Sequence, residues 1–429
     1  MNYKRPYLFQ LYPQLEGKIP WVPILTNTPT KIERLEKLES NLGLKRTKIY
    51  IKRDDKNHDI YGGNKLRKFE FIFGKAQKKN KKGMITIGGY GSNHCLACAI
   101  MSNQFGLKCN LFLFPQPLTW HVQRCLLLYD YFNAKLHHNK SFFGLALNAI
   151  FFKIMHPKHY AMLPGGSLLL GFGSPTGTLG FVEAVIELKS QIEKGEIEEP
   201  DIIFVAAGTC GTAAGLIAGC KLMGMKTRVH AVAVSMDWIV KTSTIAKNAN
   251  KALKILQKKD KSVPNIHVNE EDFKLIKGYL GSEYGTKTKR GQNAVDKVME
   301  LEGKYKGFKL ETTYTGKTLA AMLDYLDSDE IKDKVVLFWN TYNSNDLTKY
   351  LKEIQFNYKK LPKKFYKFYE EKYFQCWQIT DCPDQIKLEC PAYLSDEYRF
   401  WKVTDCKLES DKIQKAKKYL KGIIKLEDA

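Results

Sequence analysis

The sequence predicts an α/β protein built on parallel sheets with helices on both faces. Two observations carry that expectation. A strand, glycine turn, helix, strand pattern occurs twice, and the second occurrence opens on IIFVA at 202–206, an unbroken apolar run suited to a strand covered on both faces. In such sheets ligands bind beyond the carboxyl ends of the strands, and both glycine turns fall there.

In the first unit, residues 84–87 read as a strand and Gly88-Gly89 as the turn. Ser92 and Asn93 cap a helix that runs to Phe105, Gly106 stops it, and 109–114 form the next strand. In the second, GTCGT at 208–212 is the turn, 213–223 the helix and 229–234 the strand that follows. The run Phe142–Met155 is too short to span a bilayer and reads as a buried helix. Near residue 350 the alternation gives way to Lys, Tyr and Phe and then to a cysteine cluster, which marks a boundary.

Length and composition set limits on function. A chain of 429 residues and 49.3 kDa can bury a large core in two or three domains. Its formal charge of +23 would suit an anionic partner, but the lysines are spread out, and clusters such as KKNKK at 78–82 lack interleaved arginine or aromatics. Nucleic acid is therefore not the expected partner. In 358–374 aromatic and basic residues do alternate, which helical amphipathicity explains equally well. The N-terminus lacks the apolar core of a signal peptide and no run of eighteen apolar residues occurs, so a cytoplasmic protein with no membrane partner is expected. Of ten cysteines, Cys95, Cys98, Cys109, Cys125, Cys210 and Cys220 lie in apolar or helical segments and are expected to be reduced.

One lysine stands apart from the lysine-rich background. Lys65 follows Gly62-Gly63-Asn64, a compact turn that lets backbone approach a flat ring, as a Schiff-base lysine requires. Read alone, the decapeptide fits a solvated lysine at a helix start as well. GTCGT before a helix has the makings of a phosphate cradle: backbone N–H groups converge, threonine hydroxyls add donors, and the helix start favours an anion.

Taken together these motifs resemble the fold-type-II pyridoxal phosphate (PLP) enzymes related to 1-aminocyclopropane-1-carboxylate deaminase and D-cysteine desulfhydrase. The matching stretches are KRDD at Lys52, GGNKLRKFE at Gly62, GGYGSNH at Gly88, PGGS at Pro164, SPTGTLGFVEA at Ser174, AAGTCGT at Ala206, EYGTKT at Glu283 and YTGKTLAAML at Tyr314. The resemblance implies two parallel-sheet α/β domains with PLP between them, as in the tryptophan synthase β fold. It places the larger domain in 1–63 and 175–350, the smaller in 64–174, and a cysteine-containing extension in 351–429. Lys65 becomes the Schiff-base lysine and proton carrier. Ser92 lies by the substrate carboxylate or ring face, and Asn93 by the phenolic oxygen. Gly208, Thr209, Cys210, Gly211 and Thr212 hold the phosphate, and Tyr284 and Tyr314 border the substrate, where a phenol can assist proton transfer or attack. Without the resemblance, Ser92 and Asn93 are helix caps and the two tyrosines packing residues.

Thr315 is the discriminating position, since the residue after Tyr314 is expected to face the pyridine nitrogen. The cyclopropane-opening deaminases carry glutamate there and the desulfhydrase-like members threonine. A hydroxyl stabilises a pyridinium less than a carboxylate does, and the weaker electron sink suits loss of a good leaving group from Cβ. The implied function is a PLP-dependent lyase or deaminase acting on a small amino acid by β-elimination, giving a keto acid and ammonia. The alternatives are cyclopropane ring opening, and a non-catalytic binding protein that keeps the fold and uses its tail on nucleic acid or protein. Relatives are usually homodimers.

Departures from the family pattern are Gly91 for glutamine, Cys210 for glycine or alanine, Lys287 for proline, an insertion at 168–173, and FWNTYNSND at Phe338. The tail is not explained by this family. Cys376-Trp, Cys382, Cys390 and Cys406 resemble small bacterial modules with a repeated Cys-Trp unit, although Phe400 stands where the second unit would have cysteine. Four thiols in 31 residues suit Zn²⁺ or an iron–sulfur cluster, or else are packed or redox-active cysteines.

Overall fold

The computed structural model describes residues 4–116, 118–139, 142–162, 175–282, 284–326, 328–354 and 357–369. The four tail cysteines and the insertion at 168–173 lie outside these residues. The strands are β1 (Ile32–Arg34), β2 (Lys48–Lys52), β3 (Gly83–Gly89), β4 (Lys108–Phe114), β5 (Ala134–His138), β6 (His159–Ala161), β7 (Ile202–Ala207), β8 (Arg228–Ala233), β9 (Phe273–Ile276) and β10 (Val335–Trp339). The longer helices are α1 (Asn64–Lys78), α2 (Asn93–Gln104), α3 (Trp120–Tyr131), α4 (Phe142–Met155), α5 (Leu179–Glu193), α6 (Gly211–Leu222), α7 (Thr242–Lys259), α8 (Lys289–Val298) and α9 (Thr315–Leu326).

Two compact units divide the chain, 1–81 with 160–346 and 82–159 with 347 onward. The first is built on a six-stranded sheet of order β1-β2-β10-β7-β8-β9, parallel except for β1 against β2. Alternation along β7 sorts the core into two layers: Ile203 and Val205 pack with α5, α6 and α7, while Ile202 and Phe204 pack with α8 and α9. The second unit carries the sheet β5-β4-β3-β6, parallel from β3 through β5, with α2 and α3 on one side.

The division differs from the expected one in where α1 belongs. Arg67, on α1, donates to Asp54 at 2.7 Å and to Glu187 on α5 at 2.9 Å, which ties the lysine helix into the first unit rather than starting the smaller domain at residue 64. Residues 347–354 and 357–369 pack within the second unit. The Tyr350 ring lies 5.2 Å from Phe132, and the Tyr369 hydroxyl donates to the Gln123 carbonyl at 2.8 Å.

One element departs from its reading. Helix α4 occupies Phe142–Met155 as expected, but only one side of it is buried: Leu145 and Ala149 pack on Ile85 and Phe112 of the sheet, while Leu147, Ile150, Phe151, Ile154 and Met155 are exposed. A single sheet covers one face of a helix that is apolar on both. Among the described residues no helix is long and apolar enough to cross a membrane, and the six cysteines named above are buried and form no disulfide with one another.

Candidate active site

The site candidates in the first unit converge on the start of α1. Gly63 has φ +107, and a Cβ there would lie 2.8 Å from the carbonyls of Thr341 and Tyr342, so only glycine fits the approach. A Cβ at Gly62 would overlap the Asp55 carbonyl. The turn is held by the loop after β10: Asn343 accepts from the Gly62 amide at 2.7 Å and Thr341 from the Asn64 amide at 3.2 Å. The unusual stretch NTYNSND therefore presents backbone and amide groups to the glycine turn.

Beneath α1 the KRDD motif forms a charge network. Lys52 and Arg67 both pair with Glu187, Arg67 pairs with Asp54, and Trp339 donates to Asp54 at 2.7 Å, all fully buried or nearly so. Burial alone would raise the Glu187 carboxyl, but Arg67 and Lys52 outweigh it and hold it below its ordinary range. Two cations and two carboxylates balance, which is what allows them to be buried together.

Lys65 lies on the first turn of α1, half-buried, with its amine donating to Asn64 Oδ1 at 3.0 Å. Burial lowers its pKa to about 8, against an opposing pull from Glu311. Asn64 in turn donates to Thr212 Oγ1 at 3.1 Å. Thr212 belongs to the candidate phosphate loop, which differs in detail from the expected turn. Cys210 is the cap, at a left-handed φ of +63, so Gly211 and Thr212 already form the first turn of α6. The Cys210 thiol is buried, and burial pushes it up to about 12.

Tyr314 lies over this loop, such that a Cβ at Gly208 would meet its ring at 3.2 Å. Its hydroxyl is hydrogen-bonded to that of Tyr284, and burial followed by Tyr284 and Glu311 raises its pKa well above the ordinary value. Thr315 is buried at the start of α9, with its hydroxyl 3.0 Å from the Glu311 carbonyl and 3.2 Å from the Glu311 carboxylate. Glu311 also accepts from the Thr313, Tyr314 and Thr315 amides and so caps α9.

Ser92 and Asn93 belong to the second unit. Ser92 is the cap of α2 and accepts from the Cys95 amide at 3.3 Å. Beside it, a Cβ at Gly91 would meet Gln116 at 3.0 Å and His121 at 3.1 Å, so the space a larger residue would need at that position is already taken.

Sequence reasoning missed Glu311, Lys68, Thr341 and Asn343. Lys68 is buried one turn beyond Lys65. Burial and the Lys65 charge lower its pKa well below the usual value, with the Cys210 thiol opposing. The i, i+3 spacing of the two lysines was the available signal.

The set fits an aldehyde cofactor bearing a phosphate. A half-buried amine with a lowered pKa lies beside a turn that admits no side chain, and a helix start with a threonine hydroxyl is linked to it through Asn64. Among the described residues no group of three or more His, Cys, Asp or Glu is arranged to hold a metal.

Comparison with known proteins agrees with this chemistry. The profile of the family described as pyridoxal-phosphate dependent enzyme matches residues 24–341. The chain is 30% identical over 330 residues to a D-cysteine desulfhydrase of Klebsiella pneumoniae, covering 74% of this chain and 92% of that protein. A D-cysteine desulfhydrase of Yersinia enterocolitica is 30% identical over 329 residues with the same coverage. Among solved structures, an ACC deaminase homologue superposes with a TM-score of 0.64 at 29% identity, over 79% of this chain and 95% of its own. A threonine deaminase from T.th., at 15% identity and a TM-score of 0.53 over 80% and 98% of the two chains, shares the fold.

Proposed function

The chain belongs to the pyridoxal-phosphate dependent enzyme family, and from that premise we propose that it is a lyase that expels a β-substituent from a small amino acid, with D-cysteine as the leading substrate. With one water consumed, the products are a keto acid, ammonia and the expelled group, which from D-cysteine is hydrogen sulfide. The carrying observation is the half-buried Lys65 amine, its pKa lowered to about 8 and linked through Asn64 to Thr212. The cofactor, when bound, supplies an electron sink for a carbanion at Cα.

Lys65 would hold the cofactor and would carry the Cα proton on Nζ. Gly208, Thr209, Cys210, Gly211 and Thr212 would hold the phosphate at the start of α6. Ser92 would serve the substrate carboxylate or the ring face, and Asn93 the phenolic oxygen. The paired hydroxyls of Tyr284 and Tyr314 hand a proton to the departing group, because a phenol kept neutral is an acid rather than a base. Thr315 would offer a hydroxyl rather than a carboxylate to the ring nitrogen, which would favour elimination over ring opening.

Retention of Lys65, both tyrosines and the glycine turn weighs against a non-catalytic binding protein, and the named relatives are enzymes. A homodimer in the cytoplasm is the assembly and location we infer. The tail cysteines Cys376, Cys382, Cys390 and Cys406 we read as a small Cys-Trp-type module with a Zn²⁺ or iron–sulfur site.

The test is a comparison of D-cysteine, L-cysteine and 1-aminocyclopropane-1-carboxylate, scored for ammonia and keto acid. Faster turnover of D-cysteine supports the proposal. Efficient ring opening without elimination would overturn it.

A further inference from the structure

Helix α4 carries an apolar stripe with no partner among the described residues. Leu147, Ile150, Phe151, Ile154 and Met155 recur at i, i+3, i+4, i+7 and i+8, and each is more than half exposed, Ile154 at 68%. Five large apolar side chains along one helical face are the signature of a surface that something covers. A cavity of about 430 Å³ adjoins the stripe, lined among others by Phe112, His137, Phe151, Phe152, Met155 and Lys364.

The surroundings of this cavity are positive. Lys135 and Lys364 act on His137, and Lys108 and Lys153 on His159; among the described residues no carboxylate acts on either imidazole, and none lines the cavity. Burial and these cations hold His137 down at about 4, so the aromatic walls stay neutral while the rim is basic. The occupant that fits is apolar, aromatic and acidic.

The chain itself supplies one. Its last described turn, Lys363–Tyr369, packs on the same unit through Phe365 and Phe368 against Tyr90, and its Lys364 borders the cavity beside α4. Sixty residues follow Tyr369. In 370–406 they include Tyr373, Phe374, Trp377, Tyr393, Phe400 and Trp401, and eight carboxylates against four basic side chains, in a chain whose overall charge is +23. A second copy meeting this face about a two-fold axis would instead set like-charged lysine rims against each other. We propose that residues 370–406 fold back over α4 and cover its exposed apolar stripe.

The experiment uses the full chain, loaded with pyridoxal phosphate, with the photo-crosslinker p-benzoylphenylalanine placed at position 151 in a mixture of ¹⁴N and ¹⁵N protein. Cross-links from position 151 to peptides of 370–406 within one isotope class are expected. Cross-links that join light and heavy chains would assign the face to a second copy, and an absence of 370–406 adducts would also overturn the proposal. In a second measurement, the Leu147→Asp/Ile154→Asp variant should be cleaved within 370–406 about tenfold faster by a low dose of protease, since cleavage follows the open population and two buried side chains are lost. The visible band of the lysine-bound cofactor should be unchanged, which separates release of the tail from loss of fold. Unchanged cleavage with an intact band would refute the docking.

Discussion

Asn64 donates to Thr212 Oγ1 over 3.1 Å, so the residue beside the lysine anchor is tied to the phosphate-loop candidate although 148 positions separate them. One side-chain contact thus sets the spacing between two groups that a single cofactor must engage together. Replacing Asn64 with Ala removes both this bond and the acceptor of the Lys65 amine. We expect pyridoxal phosphate affinity to fall about tenfold, the scale of one to two hydrogen bonds, in a titration followed by visible absorbance. Borohydride reduction should still place the pyridoxyl group on Lys65.

The depressed pKa of Lys65 predicts a pH dependence of cofactor capture. The neutral amine is the reactive form, and with its pKa lowered from 10.5 to about 8 the capture rate should rise with pH and level off above about 8 rather than near 10.5. Because the Glu311 charge opposes that lowering, Glu311→Gln should move the midpoint further down while keeping a cap for α9. Stopped-flow absorbance across pH checks both directions.

Arg67→Met leaves Asp54 and Glu187 buried without their shared cation, and about 3–5 kcal/mol of stability should be lost in denaturant unfolding. In the unsubstituted protein Glu187 has a lowered pKa. Its contribution is therefore present above its ordinary value of 4.5 and is lost as pH falls below it. The variant should show a shallower decline of stability over that acid range.

Tyr314→Phe should lower kcat by roughly a hundredfold or more, as removal of a positioned proton donor does, with cofactor affinity little changed. Thr315→Glu should shift the ratio of ring opening to β-elimination upward by placing a carboxylate where the ring nitrogen is expected. Product analysis on both substrates reads the two effects separately.

For the tail, protein purified without added metal should carry about one equivalent of zinc or one cluster by elemental analysis, and the Cys376→Ser/Cys382→Ser variant should lose it. Cofactor binding should be unaffected in both.

The four strands read from the sequence are placed to within a residue or two because period and apolarity report burial directly: the apolar run 202–206 marks β7, which extends to Ala207. Helix α6 starts two residues earlier than its sequence suggests, because a left-handed cysteine does the capping that glycine is expected to do. The anchor and the loop are legible as motifs. Glu311 is not, because its role is to accept from three successive backbone amides, and no side-chain pattern announces that. Asn343 is hidden for a different reason, since its partner Gly62 lies 281 positions away. The buried reading of α4 fails because apolar content shows that a helix has faces to cover without showing how many the rest of the fold can reach.

The buried quartet of Lys52, Asp54, Arg67 and Glu187 has a consequence for engineering. It fixes the lysine helix from below, while Tyr284 sits half-exposed on a separate loop whose next residue, Gly285, has φ +89. Anchor and substrate wall therefore reside on different stretches of chain. A combinatorial library confined to 284–288 can explore new amino acids without disturbing the electrostatics that keep the anchor in place, whereas randomising the quartet would cost the scaffold before it changed the chemistry.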